Sequence, residues 1–152
     1  MDRHNTRAEQ MLVNLGLHWG IESELPGPDQ EMTLTLQFDE SVTVVLSAED
    51  DDLVVFGRLG EAPTHSKTFL ENLLSANLFW RDTQGATLSL EPDTRAVLIA
   101  QRLPERDWRE VEDLRQAIER FAHVQQSWMA EISDWEHSSD VQNFPTDVGQ
   151  RV

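Results

Sequence analysis

Leu73-Leu74-Ser75-Ala76-Asn77-Leu78-Phe79-Trp80-Arg81-Asp82-Thr83-Gln84-Gly85-Ala86-Thr87-Leu88-Ser89-Leu90, followed by Glu91-Pro92-Asp93-Thr94, is the stretch that decides the fold. It reads as the end of a short apolar helix, a corner marked by Gly85, a strand, and a tight turn into another strand. Pro92 and Asp93 suit the central positions of a type I turn. Thr68-x-x-Glu71 has the form of a capping box and sets the expected helix start. From there Phe69, Leu70, Leu73, Leu74, Asn77 and Leu78 cover most of the helix circumference, with Glu71 and Asn72 as the polar gap. A helix apolar on nearly all sides is not satisfied by one sheet. It calls for a second partner, and another copy of the chain is the simplest one.

Upstream of this stretch, Met11, Leu12, Leu15 and Trp19 recur at helical spacing and predict an amphipathic helix from Arg7 to about His18. Gly16 weakens its interior and Gly20 falls just past its end. Leu25-Pro26-Gly27-Pro28-Asp29 breaks the chain. Met32, Leu34, Leu36 and Phe38 then alternate with Thr33, Thr35 and Gln37, the period of a strand with one polar face. Val42, Val44 and Leu46 continue the alternation after a turn at Asp39-Glu40-Ser41. A charged turn at Glu49 to Asp52 leads into a third strand, Leu53-Val54-Val55-Phe56. Connections this short make an antiparallel meander. The Thr-rich first strand is expected at the sheet edge, with unpaired backbone groups.

Downstream, Gly60 to Ser66 reads as a loop and Ala96-Val97-Leu98-Ile99-Ala100 as a strand apolar on both faces. After Pro104, Asp107-x-x-Glu110 resembles a cap. Trp108, Val111, Leu114, Ile118, Phe121, Gln125, Trp128, Ile132 and Trp135 form a stripe predicting a helix of roughly 28 residues, ~42 Å long. From His137 the composition turns polar. The expected organisation is one α+β domain over residues 1–136 and a polar, disordered tail over 137–152, where Asn143-Phe144-Pro145 reads as incidental. The element order is α-β-β-β-α-β-β-α, a five-stranded antiparallel sheet with three helices.

The chemistry of the chain is that of a binding protein. A formal charge of -16 argues against nucleic-acid binding. No apolar run is long enough to cross a membrane and no secretion leader is expected, so membrane insertion is not foreseen. Cysteine is absent, which suits a cytoplasmic protein and excludes thiolate metal sites. His4, His18, His65, His123 and His137 never pair at metal-ligand spacing. Gly60 to Thr68 has the wrong spacing for a phosphate-binding loop, and no nucleophile motif occurs. No cofactor, metal or catalytic residue is expected. Met32, Leu34, Leu36, Phe38, Leu12 and Leu15 belong to an N-terminal layer that the last helix is not expected to reach. An uncovered apolar patch of that kind marks an interaction site, and the edge strand beside it suits an added strand from a partner.

Leu73-Leu74-x-x-Asn77-Leu78, then Thr83-x-Gly85-Ala86-x-Leu88-x-Leu90 and Val97-Leu98, resembles the class I chaperones of bacterial type III secretion, the Tir-chaperone or CesT/SycE-like group. The motif covers about a fifth of the chain, and the compatible element order extends to residue 136. Trp80 and the longer, Trp-rich last helix depart from the pattern. The resemblance implies a cytoplasmic bacterial homodimer joined through Leu70, Leu73, Leu74, Asn77, Leu78, Phe79, Leu88 and Leu90. It also implies an effector groove on the first helix and first three strands, carried here by Leu12, Leu15, Met32, Leu34, Leu36, Phe38, Val44 and Leu46. The partner so implied is the N-terminal segment of a secreted effector, kept extended and export-competent, with the secretion apparatus ATPase as a further contact. Ordering such a segment costs about 2–5 kcal/mol or more, which apolar and main-chain contacts must offset. The alternatives are a regulator of the same fold that sequesters an anti-activator or secretion gatekeeper, and, from a different class, a small-molecule enzyme.

Overall fold

The computed structural model describes residues 6–21, 25 and 30–142. The elements are α1 (Arg7–His18), β1 (Met32–Phe38), β2 (Val42–Glu49), β3 (Asp52–Glu61), α2 (Lys67–Ala76), β4 (Thr87–Leu90), β5 (Ala96–Leu103) and α3 (Val111–Gln142). This is the expected α+β order. The strands form one five-stranded sheet in the order β1-β2-β3-β5-β4, so β1 is an end strand. Two compact units are built from the chain, one up to Gly57 together with Ala100–His123, the other from Arg58–Ile99 together with the chain from Val124.

In the first unit α1 begins with a capping box. Thr6 Oγ1 accepts from the Glu9 N–H at 3.1 Å, and Glu9 Oε1 accepts from the Thr6 N–H at 2.9 Å. The helix ends at Trp19, and Gly20 follows with φ +75°, the left-handed stop that glycine takes without strain. Gly16 has a packing reason. A Cβ there would lie 3.1 Å from the Ile21 carbonyl and 3.6 Å from Leu34 Cδ1. Ala8, Met11, Leu12 and Leu15 of α1 are buried, as are the alternate residues of β1, β2 and β3. The register pairs Leu34 with Leu46, Leu36 with Val44, and Leu46 with Val55. Fully buried leucines such as Leu12, Leu15, Leu46 and Leu53 are each worth about 1.5–3 kcal/mol of transfer free energy.

The start of the last helix differs from the sequence expectation. Glu105–Asp107 forms a 3-10 turn and α3 starts only at Val111, so Trp108 precedes the helix instead of leading its stripe. Trp108 is buried, with φ -146° and ψ 34°, outside the helical region. The Arg7 guanidinium lies 4.3 Å from its ring centroid and donates to its carbonyl at 3.0 Å. Holding the indole inward takes its backbone out of helical geometry. Asp113, not Asp107, accepts from the Glu110 N–H.

In the second unit β3 runs through Gly60 to Glu61, where a loop was expected. A Cβ on Gly60 would meet Ile132 Cγ2 at 2.9 Å and Glu136 Oε1 at 3.1 Å. The glycine marks a close approach of strand to helix, not a break. Glu136 Oε1 also accepts from the Glu61 N–H at 3.0 Å. Helix α2 is capped by Ser66, whose hydroxyl accepts from the Phe69 N–H, so the expected Thr68–Glu71 box is displaced by two residues. Phe69 stacks edge to face on Trp135, and Trp135 on Trp128, each at 5.9 Å. Helix α3 continues to Gln142, so residues 137–142, assigned above to a tail, are helical. Asn143-Phe144-Pro145 lies outside the described residues.

Candidate functional site

Two surfaces stand out from the rest of the fold. The first is the outer edge of β1, which no other strand among the described residues pairs. Its seven residues contain no charge, no proline and no bulge, and they pair with β2 without a break from Met32 opposite Ala48 to Phe38 opposite Val42. Edge strands are ordinarily blunted by one of those devices, since an open row of backbone groups recruits another strand. Thr33, Thr35 and Gln37 point away from α1 and are exposed. Thr43 donates to Gln37 Oε1, and Gln37 Nε2 donates to the Asp39 carbonyl, which stiffens the end of the strand. Beside this end, Trp19, Ile21, Thr35, Leu36, Gln37 and Phe38 line a cavity of about 520 Å³. The Trp19 and Phe38 rings meet edge to face at 6.0 Å.

The apolar side chains foreseen as an open groove are otherwise covered. Leu12, Leu15, Val44 and Leu46 are 0 % exposed, Met32 is 4 %, and Leu34 and Leu36 are 5 %. The reason is local: α1 lies on β1 and β2 and takes up their inward-facing residues. Only Phe38 of that set is half-buried. Trp19 and Ile21, just past the end of α1, join it at the cavity and were not foreseen there. The signal available for them was Gly20, which turns the chain back after the helix.

The second surface follows α2. Leu74 is 73 % exposed, Leu78 63 %, Phe79 73 % and Trp80 55 %, a large exposed apolar patch. Leu70, Asn77 and Leu90 are half-buried, whereas Leu73 and Leu88 belong to the core. The Asn77 side chain donates to the Leu88 carbonyl at 2.9 Å and accepts from the Leu88 N–H at 2.7 Å. Phe79 and Trp80 both have left-handed backbones, φ 56° and 54°. For bulky residues this is rare and costs roughly 1–2 kcal/mol each. Trp80 N–H donates to the Asn77 carbonyl, Gly85 N–H donates to the Trp80 carbonyl, and the indole donates to Thr87 Oγ1. Those bonds hold the strained pair outward.

Charges in the fold do structural work. Asp39 accepts from the Ser41 N–H and hydroxyl, which hold its carboxyl below the usual range. Glu91 does the same for Thr94 and Asp93 in the β4–β5 turn and is lowered too. On α3, Arg115 pulls Glu112 down to about 2. Among the described residues no group of three His, Asp or Glu side chains is placed to hold a metal ion, and no helix is long and apolar enough to cross a membrane.

The sequence profile of the Tir chaperone protein (CesT) family matches residues 10–129. A Tir chaperone from Escherichia coli O157:H7 is 33% identical over 101 residues, 66% of this chain and 64% of the relative. The chain thus spans just under two thirds of that relative's length. A Chlamydia pneumoniae protein, CPj0713/CpB0740, is 24% identical over 82% of this chain and 95% of its own length. Among solved structures, the ExsC–ExsE complex contains a chain with TM-score 0.64 and 19% identity, covering 86% of this chain and 96% of its own. The heterodimeric ExoU–SpcU complex from the type III secretion system of Pseudomonas aeruginosa gives TM-score 0.57 at 18% identity, with 78% and 94% covered. At these identities the solved structures share the fold.

Proposed function

The chain belongs to the Tir chaperone protein (CesT) family, and from that premise we propose that it is a cytosolic dimeric chaperone of a type III secreted effector. It binds the effector's N-terminal segment in extended form and keeps it soluble for export. The work is done by binding alone, without catalysis or cofactor.

The observation that carries the reading is the outer edge of β1, unpaired by any other strand among the described residues, with the cavity lined by Trp19, Ile21 and Phe38 beside it. A segment added along Thr33–Gln37 satisfies its own backbone groups against the sheet, so it stays ordered without folding. One large apolar side chain of that segment fills the cavity. The core leucines behind β1 support the strand and do not touch the segment. The exposed Leu74, Leu78, Phe79 and Trp80 pair with the same residues of a second copy, as a two-fold contact requires.

The test is capture from the native host followed by limited proteolysis. The reading expects a secreted protein whose N-terminal fragment alone stays bound after the rest is digested. Capture of a transcription regulator instead, or of a protein held through a folded domain, contradicts it and favours the regulatory alternative.

A further inference from the structure

We infer that the segment taken up by β1 has a basic residue cluster on each side of an uncharged stretch of about seven residues. This rests on the strand-addition reading above and goes on to specify the partner's charge pattern. From Ala8 to Gly57 the chain carries eleven aspartates and glutamates and not one lysine or arginine. Those fifty residues comprise nearly all of α1, the whole of β1 and β2, and the first half of β3.

Among the described residues of this stretch, exposed acids flank both ends of the edge strand, and none lies along it. Glu31 precedes Met32, and Asp39 and Glu40 follow Phe38, all three exposed. The register places Met32 opposite Ala48, so Glu49, Asp50 and Asp51 of the β2–β3 turn fall beside the Glu31 end. Arg102 is bound to Asp52, which follows that turn. Asp39 is fixed by its Ser41 bonds at the other end. A strand lying along Met32–Phe38 therefore has neutral surface at its centre and carboxylates at both termini. Such an arrangement repels acidic segments, attracts basic flanks and sets the register of the guest. The exposed carboxylates at the two ends also steer a cationic segment from a distance, an effect that salt screens.

The test uses fluorescent synthetic peptides and the full chain, read by anisotropy at low and moderate salt. One peptide has seven alternating valines and threonines with three lysines on each side. Two others replace the lysines by serine or by glutamate, and a fourth keeps the lysines but interrupts the core with proline. The lysine-flanked strand former should bind at least tenfold more tightly than the serine- and glutamate-flanked ones, with the gap narrowing in salt. The D39N/E40Q variant should bring the lysine-to-serine ratio toward one; Asn keeps the turn, because it tolerates the left-handed backbone of Asp39 (φ 49°). Equal binding of the lysine, serine and glutamate forms overturns the charge pattern and leaves strand addition standing. Equal binding of the proline-interrupted form, or no binding by any peptide, overturns both.

Discussion

Asn77 and Leu88 are joined by two hydrogen bonds, the amide of one closing on both backbone groups of the other at 2.9 and 2.7 Å. The amide does for the end of α2 what a neighbouring strand would do for β4. It fixes the corner from which Leu78, Phe79 and Trp80 project. Asn77→Ala leaves a part-buried N–H and C=O without their partner, a loss of about 1–3 kcal/mol. Thermal unfolding should fall by several degrees, and Asn77→Asp, which keeps the acceptor and loses the donor, should fall less. An unchanged midpoint for Asn77→Ala contradicts the role.

Leu73 and Leu74 are adjacent and opposite in fate, 4 % and 73 % exposed. Leu74→Glu should weaken self-association more than tenfold by sedimentation while the circular dichroism spectrum stays native. Leu73→Glu should cost the fold itself, since an unpaired charge enters the core. A dimer of undiminished strength in Leu74→Glu places the two-fold elsewhere.

Gly60 has no room for a side chain beneath Ile132. Gly60→Ala brings a Cβ to 2.9 Å from Ile132 Cγ2, and overpacking of that kind costs about 1–3 kcal/mol. In an Ile132→Ala background, which lacks Cγ2, Gly60→Ala should cost less, a coupling that a double-mutant cycle in urea measures. Purely additive costs would show that the two residues do not meet.

The acid limb of stability should carry the mark of Glu112. Its carboxyl falls from an ordinary 4.5 to about 2 because Arg115 bonds it, at 2.9 Å through Nε. A depressed folded pKa gives stability that is present above about 4.5 and lost as pH falls toward 2. The difference between wild type and Glu112→Gln in urea midpoint should therefore shrink between pH 6 and pH 2.5. The pair is exposed, so the gap at neutral pH is modest. A gap constant with pH contradicts the assignment.

Much of the fold was legible because local patterns and tertiary packing agreed. Met32 to Phe38 alternates cleanly and forms β1 over those same residues, and Arg7 to His18 is the helix its spacing indicates. Legibility failed where a long-range contact overrode a local signal. Gly60 reads as a loop residue until Ile132 is seen above it. Trp108 fits the helical stripe but is turned inward under Arg7. The site failed for the same reason. Leu34 and Leu36 are apolar on the strand nearest the proposed partner, yet α1 claims them. Leu36→Asp is expected to unfold the first unit, because it places a charge in the core. Trp19→Ala is the cleaner probe, since the indole lines the cavity from beyond the helix.

The account stands on whether a guest strand lies along β1. Hydrogen–deuterium exchange on the chain, alone and bound to the N-terminal segment of the secreted protein it captures, reads this directly. The predicted result is new protection at the backbone amides of Thr33 to Gln37, with little change on α2. Unchanged exchange along β1 in a saturated complex would contradict it.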